Sequence, residues 1–219
     1  MYLKLDLGLS SKFPGLSARI ASIHGLDIAE QSPKLEAFKK QVFEEAEMKW
    51  RIEELKDNLV FRAYRDFFWK VKVDPTKTRP AAEALLRRIL RGNPLPTINT
   101  LVDTYNLASV VTSIPFGAFD LDRMKGEPIM REAEAGEEFL GIGMKEPIIL
   151  GGGEAVIEDD ERLIAVYPYR DADYSKVTTS TRNLLLMTCG VPGVGDEVLS
   201  RAEAICIGYI KRFCGGAPV

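Results

Sequence analysis

The sequence predicts an α+β fold, a mixed or antiparallel sheet with flanking helices. Three features carry that prediction. Short alternating or continuous apolar stretches lie near both ends of the chain, from Tyr2 to Ile23 and from Glu127 to Thr188. Apolar residues at helical spacing fill the middle and recur at the C-terminal end. Strand-like and helix-like segments mix without the strict alternation of a parallel α/β sheet. There is no internal repeat, and the one subdomain boundary falls near Lys72 to Asp74. Residues 1–73 are expected as N-terminal strands and helices packed on a main domain of residues 74–219.

Tyr2 to Leu9 alternates as YLKLDLGL, the pattern of a half-buried strand. Pro14-Gly15 supplies a turn, and Leu16 to Ile23 resumes as a second strand ending near His24-Gly25. Ser32 as N-cap, with Pro33 at the first helical position, starts a helix. Leu35, Phe38, Val42, Phe43 and Ala46 keep its spacing, and the pattern continues to about Lys56. Asp57 to Trp69 forms a second helix whose aromatics, Phe61, Tyr64, Phe67 and Phe68, belong in a core. Val73 to Pro80 is a loop. Pro80 opens a helix with Ala82, Leu85, Leu86, Ile89 and Leu90 on its buried face, and Gly92-Asn93-Pro94 ends it. Leu101 to Val111 is a further helix. Glu127 to Ala133 is a strand and Gly136 to Gly143 a turn-rich connector. Glu154 to Ile157 and Leu163 to Tyr169 form a hairpin around Asp159-Asp160-Glu161, and Leu184 to Thr188 is a buried strand. Asp196 to Phe213 is the closing amphipathic helix, stopped by Gly215-Gly216.

Composition narrows the function classes. With 46% hydrophobic and 28% charged residues, the 219-residue chain can bury a sizeable core and stay soluble. No apolar run approaches the ~20 residues of a membrane span, and the N-terminus lacks a basic-then-apolar signal layout, so a cytoplasmic protein without a membrane role is expected. Cys189, Cys206 and Cys214 are odd in number and lack CxxC spacing, which argues against a disulfide framework or structural zinc. The net charge of −3 opposes broad contact with a nucleic-acid backbone. It hides an asymmetry: nine cations from Arg62 to Arg91 face only Asp66, Asp74 and Glu83, whereas the later half is acidic. One basic face could meet phosphates.

Several familiar sites can be set aside. His24, the only histidine, stands alone beside Gly25, and no GxSxG elbow supplies a serine for it. Gly151-Gly152-Gly153 lacks GK[ST] and precedes a strand, so it reads as a hairpin turn. Gly190 to Gly195 is interrupted by Pro192 and fails the dinucleotide pattern. Asp159-Asp160-Glu161 lacks EF-hand spacing. Neither a metal nor a cofactor is expected.

What remains is Asp74 to Arg123, DPTKTRPAAEALLRRILRGNPLPTINTLVDTYNLASVVTSIPFGAFDLDR. Polar groups inside its apolar run, Asp103, Tyr105 and Asn106, must be hydrogen-bonded or line a pocket. Asn106 offers donor and acceptor together. Arg79 and Arg131 have the fork that grips phosphate or carboxylate, and Thr78, Thr178 and Thr181 add hydroxyls whose bland role is turn and cap bonding.

LVDTYN followed by PFGAFDLDR resembles the B3/B4 domain of the phenylalanyl-tRNA synthetase β subunit, which reads approximately VD-x-x-N, a spacer, then P-x-H-A-F-D-L-D. TRPAAEALLRRIL looks like free-standing proteins built on that domain, and the similarity spans roughly Asp74 to Gly190. The resemblance implies a domain that hydrolyses a wrongly attached amino acid, notably tyrosine, from the tRNA 3′ end. The family's pocket Asn matches Asn106, its His falls on Gly117, and its Glu falls at about Met187. Losing both removes polar discrimination of a side-chain hydroxyl, and Gly117 implies a larger or less polar pocket. The implied partner is a tRNA acceptor end or an aminoacyl-tRNA. Those losses do not by themselves abolish hydrolysis, since a positioned water assisted by the terminal ribose hydroxyl could be driven by orientation and electrostatics. A remaining general base near Asn106 would separate an enzyme from a binder, and Glu83, Asp103 and Asp171 are the candidates, Asp103 doubling as a buried structural group. The alternative is a non-catalytic tRNA- or amino-acid-binding protein of the same fold. A third is a small-molecule or protein-interaction domain that meets no nucleic acid.

Overall fold

The computed structural model describes all 219 residues, Met1–Val219. The expected first strand is cut short. After β1 (Lys4–Leu5), the Asp6 carboxylate accepts the Leu9 N–H at 2.6 Å and caps α1 (Leu7–Lys12). An Asp bonded to the backbone three residues on competes with sheet pairing, and α1 buries Leu9 completely. β2 (Ala18–Leu26) runs on through His24-Gly25. α2 (Pro33–Lys49) begins at Ser32, whose hydroxyl accepts the Leu35 N–H. It stops before Lys56: Trp50 turns to extended backbone, φ −117° and ψ 148°, and stacks against Phe61. A short 3-10 turn (Glu54–Asp57) leads to α3 (Leu59–Lys70), where Asn58 caps the helix by accepting from Val60 and Phe61.

α4 (Ala81–Ile89) follows Pro80, and α5 (Thr100–Thr112) is capped by Asn99, which accepts from Leu101 and Val102. Ser113 then takes a left-handed conformation, φ 64°, and turns the chain into β3 (Phe116–Asp120). Sequence reading assigned no strand there, because all five residues are buried and the period-two signal is lost. β4 (Ile129–Glu132) lies inside the expected Glu127–Ala133 strand. The connector holds a two-stranded pair, β5 (Glu138–Phe139) with β6 (Ile148–Ile149). β7 (Ala155–Glu158) and β8 (Leu163–Val166) form the hairpin, and β9 (Arg170–Asp171) adds to its edge. Asp159 organises that turn: its carboxylate accepts the Lys125, Glu161 and Arg162 N–H groups, each at 3.0 Å, and the Tyr174 hydroxyl. β10 (Asn183–Cys189) and α6 (Asp196–Cys214) follow. Gly215-Gly216 ends α6 but continues as β11 (Gly215–Pro218) on the free edge of β2, satisfying that edge.

The result is α+β. One sheet runs β1-β4-β7-β8-β9, mixed because β1 and β4 are parallel; the other runs β11-β2-β10-β3 and is antiparallel throughout. The main core holds Phe67, Phe119, Ile157, Tyr167, Leu186 and Leu199, which come from both sheets, α3 and α6. A second cluster, with Phe38, Phe61, Leu86 and Leu107, seals the helices. Each such side chain contributes roughly 2–3 kcal/mol of burial. Tyr167 and Tyr64 hydroxyls donate to the Gly190 and Cys189 carbonyls and hold the exit of β10. A Cβ at Gly190 would lie 2.5 Å from Leu199 Cδ1 and 2.6 Å from the Ser17 carbonyl oxygen, so only glycine fits. No helix is long and apolar enough to cross a membrane.

Candidate functional site

A cavity of about 180 Å³ opens where the two sheets meet α5. One side comes from Tyr105 and Asn106 of α5 and from Phe116 and Gly117 of β3. The other comes from the Tyr167–Arg170 segment after β8 and from Asp171 of β9, with Met187 and Cys189 of β10 behind. Ala81, at the start of α4, is exposed at its rim.

Asn106 is half-buried and its side-chain amide bonds no protein group, so donor and acceptor both remain free toward the cavity. Asp171 is the only carboxylate in the lining. Protein surrounds its carboxyl while the cavity leaves it partly accessible. Burial pushes its pKa up to about 7, against a smaller opposing pull from the Ala118 N–H. Burial likewise raises the Tyr105 hydroxyl and the Cys189 thiol, and the neighbouring Asp171 charge adds to both. Cys189 is therefore a protonated thiol, a poor nucleophile. The cavity offers one carboxyl that exchanges a proton near neutrality, one bifunctional amide, the Arg170 guanidinium and the protonated phenols of Tyr105 and Tyr169, the Tyr167 hydroxyl being bonded to Gly190.

Gly117 and Met187 are direct partners in the β3–β10 ladder. A Cβ on Gly117 would lie 2.8 Å from Met187 Cε and 3.3 Å from the Phe119 ring. The methionine thus occupies the space a side chain at position 117 would need. The wall here is apolar, and Met187 fills the room that the missing side chain would have left. Gly117→Ala is expected to cost about 1–2 kcal/mol, and clearly less in a Met187→Ala background. A thermal-melt double-mutant cycle measures this, and strict additivity would dissociate the two positions.

The other sequence candidates lie elsewhere. Glu83 is fully buried, accepting from Arg65 at 2.6 and 2.7 Å and from Arg87 at 2.6 Å. Burial works against its charge, but the two guanidiniums hold its pKa low, so it is a saturated anion and no base. Asp103 is buried against Lys39 at 2.6 Å and accepts the Ile98 N–H. Arg131 is clamped by Glu137 and Glu158, which raise its pKa further, and it lies outside the cavity. Thr181 donates at 2.6 Å to Asp120, a buried contact across 61 residues of sequence, and Thr178 bonds Ser180 in a local turn. Arg79 and Thr78 precede α4, Arg79 exposed without an ion pair and Thr78 tied through its N–H to the Asp74 carbonyl. No cluster of three or more His, Cys, Asp or Glu side chains is placed to hold a metal. His24 is exposed, opposite Ala217 on β11.

Sequence reasoning missed the Tyr167-Pro168-Tyr169-Arg170 wall, Cys189 and the rim at Ala81. Only the Tyr-Pro-Tyr run at the end of a buried strand marked the first. Nothing local marked the others.

A protein-family model described as the B3/4 domain matches residues 63–203. Among similar proteins, the phenylalanine–tRNA ligase beta subunit of Protochlamydia amoebophila is 33% identical over 129 residues, 58% of this chain and 16% of that protein. The corresponding subunit of Francisella tularensis is 30% identical over 155 residues, 59% and 20% of the two. That of Fusobacterium nucleatum is 31% identical over 101 residues, 46% and 12%. The chain thus spans a fifth or less of these relatives' lengths. An N-terminal fragment of the phenylalanyl-tRNA synthetase beta-subunit from Pyrococcus horikoshii superposes with a TM-score of 0.53 at 14% identity. That match covers 99% of this chain and 49% of that one, a likeness of fold.

Proposed function

The chain belongs to the B3/4 domain family, and from that premise we propose that it hydrolyses the ester of a mischarged tRNA in trans. The observation that carries this reading is the pairing, in one cavity, of an unpartnered Asn106 amide with a lone carboxyl, Asp171, that titrates near neutrality. In the ionised form Asp171 takes a proton from a water as the water oxygen attacks the ester carbonyl carbon. Collapse of the tetrahedral intermediate breaks the bond to the ribose oxygen, and Asp171 returns the proton to that leaving group. Asn106 donates to the carbonyl oxygen as it gains charge, or fixes the amino acid by its acceptor oxygen. The apolar wall at Gly117, Met187 and Phe116 faces the amino-acid side chain and offers nothing to a hydroxyl.

The test is amino-acid release from a panel of correctly and incorrectly charged tRNAs. Release from a defined mischarged subset is expected. Asn106→Ala is expected to lower it ~100-fold with an unchanged melting temperature, since the side chain makes no bond within the fold. A melting temperature that falls with the activity would make Asn106 structural. The loss of polar groups at Gly117 and Met187 favours a second reading, a binding protein of the same fold. Tight binding of charged tRNA with no release from any species would select it.

A further inference from the structure

Beside the cavity, on the outer side of α4, lies a second concavity that plays no part in the ester chemistry. It is an open groove of about 500 Å³ lined by Lys77, Arg79, Arg87, Arg88 and Arg91 among others, and its lining contains no carboxylate. We propose that this groove is a track for the phosphodiester backbone of RNA, delivering a 3′ end to the cavity.

The cations differ in how they are held, and the difference suits phosphate. Arg87 is anchored through Nε to buried Glu83, and Arg88 through Nε to the Pro94 carbonyl at 2.7 Å. Each keeps its terminal nitrogens for a ligand, so two planar forks are pre-oriented and lose little freedom on binding. Lys77, Arg79 and Arg91 are exposed and make no ion pair. Glu83 does not cancel this charge, because Arg65 binds it as well. In a chain of net charge −3, five cations offset only by Glu83, which Arg87 shares with Arg65, and by Asp74 near Lys77 make a local attractor for a polyanion.

Position makes the argument specific. Arg79 lines the groove and Ala81 lines the cavity rim, so Arg79-Pro80-Ala81 forms a sill between the two. A ligand crossing it presents repeated phosphates on one side and a single small terminal group on the other. An RNA strand esterified at its end has that layout, and the inference rests on the reading above for the identity of the terminal group. An open groove with cations before and after α4 suits successive phosphates better than the chelation of one.

The test is binding of a fluorescent RNA hairpin ending in single-stranded CCA, measured with the full chain across a KCl series. If all five cations engage, log K falls with log[salt] at a slope of about −3.5 to −4.5. Arg79→Ala and Arg91→Ala, both exposed, are each expected to reduce the slope by about 1 and to weaken binding several-fold. Asn106→Ala is expected to leave the slope intact. Unchanged slopes in both arginine variants would overturn the proposal. So would displacement of the RNA by an equal concentration of inorganic tripolyphosphate, which would mark a small-polyanion site. Groove-dependent binding without amino-acid release retains the track and removes the hydrolase; release with unchanged slopes does the reverse.

Discussion

Asp171→Asn is expected to lower amino-acid release by roughly 100-fold or more, the usual contribution of a positioned general base. Asn keeps the size and polarity of the side chain, so packing around β9 is preserved. In the wild type, release should climb as pH rises and level off above about 7, where Asp171 is ionised. The variant's residual rate should lack that rise. The same substitution carries a stability signature of opposite sense. The folded state holds the Asp171 proton up to about pH 7, whereas an ordinary aspartate releases it near 3.8. Between those values the native state binds more protons than the unfolded chain, so Asp171 lowers stability progressively as pH rises through the window. The shift sets a ceiling of about 4 kcal/mol, and water in the cavity reduces it to the order of 2 kcal/mol. Asp171→Asn should therefore melt higher than wild type at pH 8, with the gap closing near pH 4. A gap independent of pH would mean that Asp171 is ionised throughout and is not enclosed as described.

Glu83→Ala is expected to be the most destabilising of the substitutions considered, by about 3 kcal/mol. It removes a fully buried carboxylate that two guanidiniums share, and it leaves Arg65 and Arg87, both partly buried, without a counter-charge. Glu83→Gln keeps the shape and an acceptor oxygen, and should recover part of the loss. Because neighbouring arginines hold the Glu83 pKa low, its contribution is present above the ordinary value of 4.5 and fades as pH falls through the lower folded value. Denaturant titrations at pH 7 and pH 4 measure both effects. Were Glu83 instead the base of the reaction, Glu83→Gln would abolish release with stability intact.

Local chemistry explains why some elements are legible and others are not. Ser32-Pro33 starts α2 because an N-cap hydroxyl and a pre-set φ act within one turn, and the heptad-like spacing of α6 shows in any window across it. The α2 terminus is different: nothing in Arg51 to Lys56 forbids helix, and where Trp50 leaves it the ring packs on Phe61 while the Arg51 guanidinium bonds the Glu47 and Trp50 carbonyls. β3 escaped because burial on both faces erases alternation, and β11 because a glycine pair that ends a helix is equally free to pair with a strand edge.

The site divides along the same line. The sequence by itself determined the residue inventory: which polar groups interrupt the apolar runs, that Asn106 sits among them, and that cations gather between residues 62 and 91. Tertiary structure alone decided which of these groups are free. Glu83 and Arg131 read as reactive until residues 18 and 27 positions away neutralise them. Asp171 is only one of three candidate carboxylates until the second sheet closes over it, and Gly117 meets Met187 only through a strand pairing that bridges seventy residues of sequence. Charge availability depends on the partners within a few ångströms; Arg87 and Glu137 are near in sequence, but Arg65 and Glu158 come from other elements that no local pattern encodes.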